Sequence, residues 1–118
     1  FQIQDDIIDI NSDMDKGNTF ASDIIKGKRT LIVIHCLENS TDEKQNELIK
    51  ILDKNNNSDE EIEKAISILN ESDSIDYAKK VAQEYLEKSQ TALEKINMSN
   101  EGKKFFSDLS EFMINRKY

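Results

Sequence analysis

A chain of 118 residues with no proline and only three glycines is poorly supplied for tight turns. An all-β chain needs turn residues at short intervals, so this one is expected to be all-α, with helices joined by polar loops. Charged residues make up 34% of it, in keeping with solvated helix faces. The length suits one domain and is short for two. The residues from Phe1 onward already read as the middle of a buried helix, so the expectation is a piece of a larger fold, or a chain whose first residues were lost.

The formal net charge is -8, which repels nucleic acid and anionic membrane surfaces over most of the molecule. Neither is expected as a partner, and a local basic cluster stands out the more for it. Cys36 is the single cysteine, so no internal disulfide can form; this suits a reducing compartment, and a cytoplasmic location is expected. The apolar run Leu31-Ile32-Val33-Ile34 is far below the roughly 20 residues of a membrane span.

Apolar spacing of three and four residues predicts a helix from Phe1 to about Asn11, carrying Ile3, Ile7, Ile8 and Ile10. The polar stretch from Asn11 to Thr19 reads as a loop, and Ser22 to Arg29 as a polar lead-in to a buried helix from about Thr30 to Glu38. Four more helices are expected. One follows Thr41 and ends at Asn55-Asn56-Asn57, and the next opens at Ser58 with Glu61 three residues on, a capping box. The longest opens at Ser74, and the last at Ser99 with Phe105, Phe106, Leu109, Phe112 and Met113 inward as core.

Chemistry centres on Asp5, Asp6 and Asp9. Residues four apart lie about 40° apart round a helix, so Asp5 and Asp9 share a face, with Asp6 about 100° further round. Carboxylates so close repel one another unless a cation sits between them, and oxygen ligands suit Mg2+, which commonly binds through one or two carboxylates plus substrate phosphates. A solvated acidic face is the ordinary alternative. Against it stands the setting among Phe1, Ile3, Ile7, Ile8 and Ile10, where unpaired charge is costly. Lys26, Lys28 and Arg29 beside Gly27 read either as an anion site or as a solvated turn. A calcium loop from Asp9 fails, since it has Met14 where glycine is needed and Phe20 where glutamate is needed. His35 and Cys36 point about 100° apart on a helix, so a packing cysteine and a core or edge histidine are expected rather than a nucleophilic pair.

The run Phe1-Gln2-Ile3-Gln4-Asp5-Asp6-Ile7-Ile8-Asp9 is similar to the second aspartate-rich motif of the trans-isoprenyl diphosphate synthases of the farnesyl and geranylgeranyl type, the polyprenyl synthetases. Ser22-Asp23-Ile24-Ile25-Lys26-Gly27-Lys28-Arg29-Thr30-Leu31 resembles the block that follows it there, at a matching interval. The basic-aromatic end Asn115-Arg116-Lys117-Tyr118 resembles that family's C-terminal third, so the whole chain is covered, most specifically up to about His35.

The resemblance implies the C-terminal helices of an isoprenoid-synthase bundle, with residues 1–118 forming the C-terminal portion of a polyprenyl synthetase domain. It implies Mg2+ as cofactor, held by Asp5 with Asp6 and Asp9 directly or through water. Lys28, with Arg29 beside it, would contact the allylic diphosphate, and Phe1 and Gln2 would line the pocket near the isopentenyl group. Asp5, Asp6 and Lys28 are thus the catalytic candidates. The implied reaction ionises an allylic diphosphate, isopentenyl diphosphate attacks the cation, and a proton is lost. Two departures stand out. Gly17 is followed by Asn18 where the family often has lysine, with Lys16 a possible substitute. The first aspartate-rich motif is absent, so the chain alone is expected to be inactive without the N-terminal part of the enzyme. A homo-oligomer is expected. The alternative is a non-catalytic helical dimerisation module derived from the same family, with Phe1, Ile3, Ile7 and Ile8 at a contact between copies.

Overall fold

The computed structural model describes residues 1–11 and 21–116. Among the described residues there are seven helices: α1 (Gln2–Asn11), α2 (Ser22–Ile25), α3 (Leu31–Asn39), α4 (Asp42–Leu52), α5 (Asp59–Glu71), α6 (Ser74–Lys95) and α7 (Asn100–Asn115). Among the described residues there is no strand, so the β-branched run at Leu31–Ile34 is helical, as expected for an apolar stretch with nothing to pair with.

Local signals place the helix starts. The Thr30 and Ser99 side chains accept from the backbone N–H groups of Val33 and Gly102 at the heads of α3 and α7. At α5 the capping box is complete. Ser58 Oγ accepts from the Glu61 N–H at 3.3 Å, and the Glu61 carboxylate accepts from the Ser58 N–H at 2.9 Å. The short helix α2 was not anticipated, because the polar stretch around it hides a single turn.

The core is aliphatic and joins α1 to α6. Ile7 and Ile10 of α1 meet Ile24 of α2, Ile32, Val33 and Cys36 of α3, Leu48 and Leu52 of α4, Ile62, Ala65 and Leu69 of α5, and Ile75 and Ala78 of α6. Each fully buried Ile or Leu contributes roughly 1.5–3 kcal/mol of transfer free energy. Lys44–Glu71, Lys54–Glu61 and Lys64–Glu47 ion pairs lie at the surface between α4 and α5 and add little to this.

One expectation is corrected. The aromatic stripe of α7 is not core: no residue of α7 is buried, and Phe105 and Phe112 are each 62% exposed. The reason is geometric. α7 lies mainly against α6, and burial along α6 stops at Leu86, so among the described residues no other element backs the outer part of the α6–α7 hairpin. Ile96 and Tyr85 are exposed with it. No described helix is long and apolar enough to cross a membrane.

Candidate functional site

α1 presents its aspartates in three different environments. Asp6 is buried, at 6% exposure, and accepts a hydrogen bond from Gln2 Nε2 at 2.9 Å, one turn earlier on the same helix. Burial pushes the Asp6 carboxyl above its usual range; the Gln2 hydrogen bond opposes this, and the neighbouring Asp23 carboxyl adds to the rise. Asp5 lies on the more open side and is ion-paired with the Arg116 guanidinium. That guanidinium also sits 4.4 Å from the centre of the Phe1 ring, and the Arg116 carbonyl accepts from Gln4 Nε2 at 2.9 Å. Asp9 faces α2: one of its oxygens accepts from the Ser22 N–H at 3.1 Å and the Ser22 hydroxyl at 2.7 Å, the other from the Asp23 N–H at 2.9 Å.

The basic side of the site is built by the end of α2. Gly27 takes a left-handed φ of 65°, and the Lys28 and Gly27 N–H groups return to the carbonyls of Asp23 and Ile24, each at 2.9 Å. This paired closure is a Schellman motif, which needs a residue tolerant of positive φ after the helix. A side chain at Gly27 would also collide with the Leu52 carbonyl. The turn brings Lys28 back over α2, so its ammonium meets the Asp23 carboxylate at 2.5 Å. The hydrogen bond and charge of Asp23 raise the Lys28 pKa, with smaller contributions from Asp6 and Asp9, so Lys28 is firmly cationic.

The residues singled out from sequence therefore divide. Asp6, Asp9 and Lys28 converge around Asp23. Asp5 and Phe1 meet at Arg116, and Gln2 supports Asp6. Arg29 turns away: it donates to the Gly27 carbonyl at 2.9 Å and to Asp53 at 2.6 Å, at the end of α4. Lys16, Asn18 and the rejected calcium loop fall largely outside the described residues. Asp23 and Arg116 are the two participants missed by sequence reasoning. Asp23 stood within the recognised Ser22–Leu31 block, and its signal was a carboxylate five residues before Lys28 across a glycine turn. Arg116 stands 111 residues from Asp5, and no local pattern points to that pairing. Cys36 is buried packing, as expected. His35 is an edge residue, stacked on Tyr77 with ring centres 4.0 Å apart and Nδ1 2.9 Å from Ser74 Oγ.

Among the described residues, no group of three or more His, Cys, Asp or Glu side chains is gathered as a metal cluster. What the site offers is the buried Asp6 carboxyl, the neighbouring buried Asp23 carboxylate and the Lys28 ammonium paired with it. That set fits a hard divalent cation only in part, leaving positions for phosphate oxygens or water.

Comparisons with known proteins agree on one family. A polyprenyl synthetase profile matches residues 1–69. The chain is 40% identical over 120 residues to a short chain isoprenyl diphosphate synthase of Methanocaldococcus jannaschii. It is 34% identical over 118 residues to a geranylgeranyl pyrophosphate synthase of Geoglobus acetivorans. In both cases all of this chain is matched, and it spans 35% of the relative's length. A crystal structure of geranylgeranyl pyrophosphate synthetase from Pyrococcus horikoshii superposes with a TM-score of 0.86 at 34% identity, over 98% of this chain and 35% of that one.

Proposed function

This chain belongs to the polyprenyl synthetase family, and from that premise we propose that it supplies the diphosphate-gripping half of a trans-prenyltransferase. The substrates would be an allylic diphosphate and isopentenyl diphosphate. What supports the reading is that the two sequence blocks behind the resemblance meet in space: Asp9 of the first bonds to Ser22 and Asp23 of the second, and Lys28 pairs with Asp23 beside Asp6.

Asp5 and Asp6 are the proposed holders of Mg2+, with the Asp23 carboxyl adjacent to Asp6. When bound, the cation would neutralise charge growing on a departing pyrophosphate. The chain's own residues do the rest. Gln2 orients Asp6, Lys28 offers an ammonium to the diphosphate, and Phe1 gives an apolar wall beside Asp5. Arg29, held at Asp53, would need to leave that partner to reach a substrate. Because the chain spans 35% of its relatives' length, we assign the activity to an assembly that includes the remaining part, and none to these residues alone.

A chimera tests this. The matching segment of the M. jannaschii synthase is replaced by this chain, and incorporation of labelled isopentenyl diphosphate into longer products is measured. Activity lost on Asp5→Ala and on Lys28→Ala supports the proposal. A well-folded chimera with no incorporation, or one indifferent to both substitutions, refutes it.

The second reading, a helical interaction module that pairs with another copy, cannot use Ile7 as expected, since Ile7 is buried in the core; the exposed Phe105 and Phe112 favour it instead. Sedimentation of the chain at increasing concentration separates the two, since a monomer throughout excludes that module.

A further inference from the structure

The aspartates of α1 are not equivalent, and Asp9 is the one whose lone pairs are already committed. A carboxylate offers about four acceptor positions. Among the described residues, three donors occupy Asp9: the Ser22 N–H, the Ser22 hydroxyl and the Asp23 N–H, at 3.1, 2.7 and 2.9 Å. The two N–H groups are the first of α2, whose own N-cap residue, Ala21, sits at φ 48° and has no side chain able to cap. The cap is supplied from the neighbouring helix instead. It bears on the site because Asp23, the residue so pinned, accepts the Lys28 ammonium at 2.5 Å and stands against Asp6.

We propose that Asp9 is a positioning residue rather than a cation ligand: it fixes the head of α2 so that Asp23 and Lys28 are held in place beside Asp6. The cation half of this statement rests on the proposed function; the positioning half does not.

Asparagine keeps one of the two acceptor oxygens of Asp9 and alanine keeps neither, so the pair grades the loss of the cap. The chain, Asp9→Asn, Asp9→Ala and Asp5→Asn are compared by two measurements. The first is amide hydrogen exchange at Ser22 and Asp23 by NMR; the second is Mn2+ affinity by electron paramagnetic resonance. Asp9→Asn keeps one acceptor oxygen, so it is expected to retain slow exchange at Ser22, to speed it at Asp23, and to weaken Mn2+ less than Asp9→Ala does. Asp9→Ala is expected to speed exchange at both amides, and to weaken Mn2+ about tenfold, as loss of a ligand's support does. Asp5→Asn is expected to weaken Mn2+ without changing either amide. Two results overturn the proposal: Asp9→Asn losing Mn2+ as severely as Asp5→Asn while the Ser22 amide stays slow, or Asp9→Ala leaving both amides unchanged. A parent chain that binds no Mn2+ counts against the metal reading, and the amide comparison still decides the positioning.

Discussion

Replacing Gly27 with alanine tests how much of the site depends on one turn. Gly27 holds φ at 65° and its α-carbon faces the Leu52 carbonyl at the end of α4. A left-handed conformation costs a non-glycine residue roughly 1–2 kcal/mol. Crowding the new methyl against backbone adds about 1–3 kcal/mol, because a carbonyl cannot rotate away as a side chain tip can. Stiffening of the unfolded chain offsets about 0.4–1 kcal/mol of this. The net expectation is a loss of about 3 kcal/mol. For a domain of this length that is a fall of about 12 °C in Tm. Urea unfolding followed by circular dichroism measures it, with Gly102→Ala on the exposed α7 as the control, since there the obstruction is mostly the Met98 side chain from the preceding turn. A Gly27→Ala loss below about 0.5 kcal/mol, within the range of an ordinary surface change, would refute the reasoning.

Three other outcomes follow from the contacts. Since burial raises the Asp6 pKa, the folded chain holds that proton more tightly than the unfolded one. Stability then falls as pH rises from the unfolded carboxyl range through the folded pKa, and above it ionised Asp6 is a standing cost. Asp6→Asn should therefore stabilise the chain by about 1 kcal/mol at neutral pH and by less at about pH 3, measured by urea unfolding at both; destabilisation at neutral pH would contradict this. Arg116→Gln frees Asp5 from its ion pair, so Mn2+ should bind about fivefold tighter by calorimetry, the equivalent of about 1 kcal/mol for a partly exposed pair; weaker binding would mean that Arg116 assists the cation. Ser58→Ala removes half of the α5 capping box and should cost about 1 kcal/mol in the same unfolding assay, with no change in Mn2+ affinity.

The helices were readable because their signals are local. The Ser58–Glu61 box, the three-and-four spacing of Ile3, Ile7 and Ile10, and the apolar run that follows Thr30 all act within a turn or two, and each stands in a helix as expected. The aspartates were readable for the same reason, as charge set among isoleucines. Their different surroundings were not. Whether Asp9 faces a cation or the head of α2 depends on how two helices cross, and the Arg116–Asp5 contact depends on where the last helix ends against the first. The aromatic stripe of α7 misled because amphipathic spacing names the apolar face of a helix, and says nothing of whether anything lies against it.

That uncovered hairpin carries a consequence for how the molecule comes apart. From Glu87 of α6 to the end of α7 no residue is buried, while α3, α4 and α5 share the aliphatic centre. Backbone amides in the outer hairpin can open by fraying, without disturbing that centre. Under native conditions they should take up deuterium well before those of Ile32, Leu48 and Leu69. Proteases should nick the turn near Asn97 first, leaving the aspartates of α1 still attached to a folded remnant.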